Sequence, residues 1–288
     1  MNRSILLGLT ASILLTANAL ASNERLVTAG GGITEIVYAL GMGDAVVGVD
    51  SSSVYPDAAT KLPQVGYARM LSSEGLLSLK PTALIVSDEA GPDSTLDQIK
   101  SAGVQVFQLD SRYDVEAAIN RINKIAEILG HVENAAPVVA SLRADLENAQ
   151  RVVAQTMDRP KVLFIYARGG GVLNVSGTGT AAHAMIELAG GVNAVTGYDG
   201  YKPLTAEAAV NASPDVILMT SRGIQEAGGI DGVLAHPGVA LTPAAKSRRV
   251  AVMDDLYLLG FGPRLGRAVH DLCVELHSEN RPVAVSRH

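Results

Sequence analysis

Leu71-Ser72-Ser73-Glu74, followed by the run Lys80-Pro81-Thr82-Ala83-Leu84-Ile85-Val86, is written a second time in this chain. The second copy is Leu204-Thr205-Ala206-Glu207, followed by Ser213-Pro214-Asp215-Val216-Ile217-Leu218-Met219. The leucine, the glutamate, the proline and the apolar run keep one register in both. A further pair stands in the same order. Leu40-Gly41-Met42-Gly43-Asp44-Ala45-Val46-Val47-Gly48-Val49-Asp50 is answered by Ala189-Gly190-Gly191-Val192-Asn193-Ala194-Val195-Thr196-Gly197-Tyr198-Asp199, and the apolar run 26–29 by 162–165. Matches at similar offsets predict two related units, residues 22–133 and 160–288. A repeat of about 130 residues is too long for a solenoid and implies two lobes with a cleft between them.

Along the first unit, short β-rich runs (26–29, 45–49, 83–86, 104–109) alternate with helical periods (34–40, 96–102). Such alternation predicts parallel sheets. The expected fold is α/β: two Rossmann-like lobes with mostly parallel sheets, joined by a single long helix at 134–159, with the ligand cleft between the lobes. Residues 135–157 contain no Gly, and Pro137 falls in the first turn, where proline is tolerated. Val138, Leu142, Leu146 and Val153 form an apolar stripe opposite Arg143, Asp145, Glu147 and Arg151. Twenty helical residues span about 30 Å, and a stiff connector of that length limits lobe swinging.

The first residues read as processing information. Asn2 and Arg3 precede the apolar run 5–15, and Ala19-Leu20-Ala21 is a small-x-small cleavage pattern. The reading is a secretory signal peptide, residues 1–21, cleaved after Ala21. The run is shorter than the roughly 20 apolar residues of a spanning helix. Ser22 stands where a lipoprotein would need cysteine. The net charge of −6 gives no electrostatic reason to expect nucleic acid. Cys273 is the only cysteine, which excludes an internal disulfide and a Cys-based metal site. It falls in an apolar helical pattern and reads as a buried, inert thiol. Aromatic residues make up only 4% of the chain, so each tyrosine carries weight.

Two lobes joined by one long helix resemble the periplasmic binding proteins that serve iron-siderophore, cobalamin and haem importers. Residues 62–75, Leu-Pro-Gln-Val-Gly-Tyr-Ala-Arg-Met-Leu-Ser-Ser-Glu-Gly, are similar to the haem-binding branch of that group. So are Arg222-Gly223, Gly228-Gly229-Ile230-Asp231-Gly232 and Gly260-Phe261-Gly262-Pro263-Arg264. The resemblance implies a protein that captures haem in the cleft and delivers it to an ABC-type importer. It places the family's iron ligand on Tyr67. A phenolate is a hard anionic donor suited to ferric iron, and Arg69 could stabilise it by its positive charge. A loop tyrosine beside an arginine is the plain alternative. Arg222 and Arg168 each follow a strand, at the end where α/β sheets bind ligands, and arginines pair with carboxylates such as the propionates of haem. Leu258, Leu259 and Phe261 are expected apolar contacts. Some relatives with two stacked haems carry a histidine after the second lobe's first strand. This chain has Tyr166-Ala167-Arg168-Gly169 there, so one haem per chain is expected. His183 is either a sixth ligand or a helix-start histidine that touches no iron. Glu74 and Glu207, at equivalent repeat positions, match the pair the family uses to dock on a permease dimer of the inner membrane, though a helix-dipole role alone also suits each. The remaining expectations are a monomer in the periplasm, supplied by an outer-membrane haem receptor system.

No Gly-x-Ser-x-Gly, His-Glu-x-x-His or Walker pattern is present, and Gly30-Gly31-Gly32 lacks dinucleotide spacing. The chain is therefore expected not to be an enzyme. Two rivals remain: a ferric-siderophore or cobalamin binder, and a secreted α/β enzyme that uses the same cleft.

Overall fold

The structure, a computed structural model, describes residues 24–167 and 172–277. The expected signal peptide, residues 1–21, and the expected cleavage site lie outside the described residues, as do Arg168 and residues 278–288. The first lobe runs β1 (Leu26–Ala29), α1 (Gly31–Ala39), β2 (Val46–Val49), β3 (Gly66–Tyr67), β4 (Met70–Leu71), α2 (Ser73–Ser78), β5 (Ala83–Ser87), α3 (Asp93–Ser101), β6 (Gln105–Leu109) and α4 (Val115–Ile128). Helix α5 (Ala135–Val153) follows. The second lobe runs β7 (Lys161–Ala167), β8 (Leu173–Ser176), α6 (Ala181–Leu188), β9 (Val192–Asn193), β10 (Tyr201–Pro203), α7 (Ala206–Ala212) and β11 (Val216–Thr220). It continues through α8 (Ser221–Glu226), α9 (Gly229–Leu234), α10 (Pro243–Lys246), β12 (Val250–Met253), α11 (Asp255–Leu259) and α12 (Leu265–His277).

The first sheet has the order β2-β1-β5-β6 with every pair parallel. The second has the order β10-β8-β7-β11-β12, with β9 also beside β7. In both, the strand order reverses next to the lobe's first strand: between β1 and β5, and between β7 and β11. Open α/β sheets bind ligands in the crevice at the carboxyl ends of strands at such a switch point. The lobes therefore each offer one crevice.

Strand side chains alternate between layers. Leu26, Ala83, Ile85, Val162, Phe164, Val216, Leu218, Ala251 and Met253 share one core with α4, α5 and α12. Their neighbours Val27, Leu84 and Val86 pack outward under the first lobe, and Leu163, Ile165, Ile217 and Met219 under the second. Strands buried on both faces read as continuous apolar runs, as these do. Cys273 is fully buried in the shared core, and burial pushes its thiol pKa up.

The repeat is closest where caps and prolines set it. Ser72 and Thr205 are the N-caps of α2 and α7, and each hydroxyl accepts an amide at 3.1 Å, from Gly75 and Ala208. Both helices end at a left-handed residue, Lys80 (φ 48°) and Ser213 (φ 43°), immediately before proline. It fails where the second lobe inserts β8 and β10 as antiparallel strands beside β7. There the expected partner of β2 shrinks to Val192–Asn193.

The connector α5 ends at Val153, six residues before the expected end at residue 159. Gln155 and Thr156 amides turn back to the Val152 and Val153 carbonyls, and the Thr156 hydroxyl donates to the Val153 carbonyl at 2.7 Å. These tight bonds use the last-turn acceptors, and Pro160 follows. Helix α12 packs along α5 at Gly266, where a Cβ would lie 2.6 Å from the Leu146 nitrogen.

Candidate functional site

The two crevices face each other across a cavity of about 710 Å³, within the roughly 300–1,000 Å³ of small-molecule sites. The first lobe contributes the turn after β1 (residues 30–33), Ser87 at the end of β5 and Glu89 after it, and Asp110, Ser111 and Tyr113 after β6. The second contributes Tyr166 at the end of β7, Ser221 and Arg222 after β11, and residues 254–256 and 259–261 after β12.

Tyr67 reaches this cavity from a tight β-hairpin rather than an irregular loop. Gly66 pairs with Leu71 and Tyr67 with Met70, which leaves Ala68 and Arg69 as the two-residue turn. Gly66 has φ +103°, and a Cβ there would sit 2.8 Å from the Met70 carbonyl oxygen. Only glycine takes that conformation without strain. The hairpin is tied down on both sides: Ser51 N–H donates to the Gly66 carbonyl at 2.8 Å, and Gly91 N–H to the Ala68 carbonyl at 3.0 Å.

Arg69 also lines the cavity, where its guanidinium donates to the Glu89 carboxylate. That bond, opposed by burial, holds its pKa above the usual guanidinium value, with the nearby Tyr67 and Tyr113 adding to the effect. Tyr113 packs on Phe261 with ring centroids 5.6 Å apart, and burial raises its pKa. Phe261 lines the cavity from a left-handed turn (φ 46°). Its carbonyl accepts from Arg121 of α4 at 3.1 Å, while Arg121 also donates to the Asp110 and Arg112 carbonyls at 2.9 and 3.0 Å. Arg121 thus ties the first lobe to the Phe261 turn of the second.

Arg222 lines the cavity at the start of α8, with Nε on Glu226 at 2.8 Å and its amide on Asp255 at 3.2 Å. Leu258 needs correction as an apolar contact: it is fully buried in the shared core and does not line the cavity. Residues 255–259 form a helical turn, and successive helical side chains diverge by about 100°. Leu256 and Leu259, three apart, therefore take the cavity face. Tyr166 stacks on Phe164 at 6.4 Å and meets Tyr201 at a tilt, with centroids 5.5 Å apart, and burial pushes the Tyr201 phenol up to about 12.

His183 does not line the cavity. Its Nδ1 lies 3.4 Å from Asn193 Nδ2, and its amide donates to the Thr180 hydroxyl that caps α6. Glu74 and Glu207 are exposed at the second position of α2 and α7, away from the cavity. Sequence reasoning missed Glu89, Asp110, Tyr113 and Arg121. Three of these follow strand carboxyl ends, so the rule that found Arg222 applied equally to them.

Among the described residues, no group of three or more His, Cys, Asp or Glu side chains is placed to hold a bare metal ion. No described helix is long and apolar enough to cross a membrane. What the cavity offers is a slot lined by three tyrosines, Phe261, Leu256 and Leu259, with the Arg69 guanidinium near Tyr67 and Tyr113 and further charges from Glu89, Asp110, Arg121, Arg222, Asp254 and Asp255. Two facing α/β lobes around such a slot define a substrate-binding protein. The chain belongs to the periplasmic binding protein family, which matches residues 26–257. Its structure is similar to the periplasmic heme-binding protein RhuT from Roseiflexus sp. RS-1, with TM-score 0.86 and 43% identity over 89% of this chain and 98% of that one. It is similar also to the periplasmic heme-binding protein BhuT in complex with two hemes, with TM-score 0.84 and 43% identity over 88% and 98%. The vitamin B12-binding protein of Yersinia pestis is 28% identical over 95% of this chain and 93% of its own length.

Proposed function

We propose that this chain captures haem in the interlobe cavity and hands it to an ABC importer in the inner membrane. The observation that carries the reading is Tyr67, delivered by a rigid hairpin into an apolar slot beside Arg69. Ferric haem asks for three things: an axial donor, apolar cover for its faces, and partners for two propionates. The Tyr67 oxygen supplies the first, since tyrosine is an established axial haem ligand. Tyr113, Phe261, Leu256 and Leu259 supply the second. Arg222, across the cavity, is the described candidate for the third, and Arg168 joins it from outside the described residues. The 43% identity to two haem-binding structures supports the same reading.

The finer points belong to the same proposal. The chain binds and releases its ligand without turning it over. It takes one haem, because the stretch Tyr166-Ala167-Arg168-Gly169 carries no histidine where relatives with two stacked haems have one. It works as a monomer in the periplasm after cleavage behind Ala21, receives haem from an outer-membrane receptor system, and docks on a permease dimer through Glu74 and Glu207. The lobes divide at 22–133 and 160–288, with 134–159 between them.

A second reading, cobalamin, is supported by the 28% identical vitamin B12-binding relative. One experiment separates the two: titration of purified protein with hemin and, in parallel, with cyanocobalamin, followed by absorption and calorimetry. Haem binding predicts saturation at one hemin per chain and no heat with cyanocobalamin. The reverse pattern would replace haem with cobalamin, and saturation at two hemins would refute the single-site proposal.

A further inference from the structure

Glu89 escapes sequence reasoning, yet it occupies a constrained point of the cavity wall. Its loop is stitched to the Tyr67 hairpin by two backbone bonds. Gly91 N–H donates to the Ala68 carbonyl at 3.0 Å, and Leu71 N–H donates to the Gly91 carbonyl at 2.8 Å. With the backbone fixed in this way, the Glu89 carboxylate pairs with the Arg69 guanidinium. Arg69 in turn lies within electrostatic reach of Tyr67 and Tyr113. All four side chains line the same cavity. Hydrogen bonds between two ions are stronger than bonds to a neutral group, so the carboxylate holds the guanidinium in the cavity wall. Once iron takes the Tyr67 oxygen as a phenolate, Arg69 stands between two anions.

We propose that Glu89 is a positioning residue for the iron-binding phenol: it anchors Arg69 in the cavity wall and, by sharing its charge, sets how strongly Tyr67 donates to ferric iron. The inference rests on the haem reading above. Glu89 acts through Arg69 and touches neither iron nor macrocycle. A guanidinium occupied by a carboxylate leaves the phenolate electron-rich, which favours the ferric state. Removing the Glu89 charge releases Arg69 toward the phenolate and favours the ferrous state.

The test is the ferric/ferrous midpoint potential of the haem-loaded mature chain, measured by spectroelectrochemistry. Wild type is compared with Glu89→Gln, Glu89→Asp, Arg69→Gln and the double Glu89→Gln/Arg69→Gln variant. Glu89→Gln is expected to raise the potential by the equivalent of about a tenfold change in the ferric-to-ferrous binding ratio, ~59 mV for one electron. Glu89→Asp, which keeps the charge, should stay near wild type. The effect of Glu89→Gln should fall to less than half once Arg69 is already replaced. An unchanged potential in Glu89→Gln overturns the proposal, and so does a shift of equal size in the Arg69→Gln background, since that is a direct field effect. A wild-type chain that takes up no hemin overturns the haem reading itself, and this inference with it, before any variant is compared.

Discussion

Asp255 shows what burial does to one charge at the edge of this cleft. It accepts the Arg222 amide at 3.2 Å, and removal from water raises its carboxyl pKa above the usual range despite that bond. A raised folded-state pKa means that the folded chain binds the proton more tightly than the unfolded chain does. The ionised form therefore costs stability as pH rises through the folded value, and the cost is absent at pH low enough to protonate both states. Asp255→Asn should raise the thermal midpoint at neutral pH by about 1–3 °C and leave it unchanged near pH 3. Scanning calorimetry at the two pH values checks this, and an equal gain at both contradicts it. Residues of this kind were only half legible. Tyr67, Arg69, Arg222 and Phe261 carry recognisable neighbours in sequence, and all four line the cavity. Glu89 and Tyr113 carry only their place after a strand, and Arg121 not even that, because what makes them matter is a contact across the fold: Glu89 with Arg69, Tyr113 with Phe261, Arg121 with the Phe261 carbonyl. Leu258 was misplaced because its side of α11 cannot be judged until the turn is known to be helical.

At the scale of elements, the β3–β4 hairpin is the part on which the site depends most. Gly66→Ala places a methyl group 2.8 Å from the Met70 carbonyl oxygen at a positive φ. It should cost about 1–2 kcal/mol in urea unfolding and weaken hemin binding as Tyr67 shifts. Full hemin affinity in that variant would show that the hairpin geometry does not set the ligand's position. Helices α2 and α7 carry the matched pair Glu74 and Glu207, both exposed. Rim ion pairs contribute only about 1 kcal/mol each, so the double variant Glu74→Ala/Glu207→Ala is the fair test. It should leave hemin affinity unchanged and lower transport into vesicles that hold the permease. Normal transport would end the docking role. These helices were readable in advance because caps, a glutamate and a following proline are local signals. The inserted strands β8 and β10 were not. They span four and three residues, too few to show a period, and β10 is exposed throughout, so no apolar run marks it.

At the scale of the whole molecule, the lobes are joined by more than the connector. Glu35 of α1 and Arg264, just before α12, form a two-pronged ion pair at 2.7 and 3.0 Å, with side chains only 6% and 15% exposed. The Arg264 guanidinium also lies 3.7 Å from the Tyr55 ring centroid. Removing one partner of a buried pair strands the other charge, so Glu35→Gln should cost about 3 kcal/mol. Because one core runs through both lobes, the loss should appear as a single shifted urea transition, and two separate transitions would contradict a shared core. The same joining holds Tyr67 of one lobe opposite Arg222 of the other. The claim that matters most is that Tyr67 binds the iron, and Tyr67→Phe tests it most directly because it deletes a single oxygen. Absorption spectra of both proteins loaded with ferric haem should show the charge-transfer band of a phenolate-bound iron in the wild type and its loss in the variant. Retention of the full band in Tyr67→Phe would contradict the account.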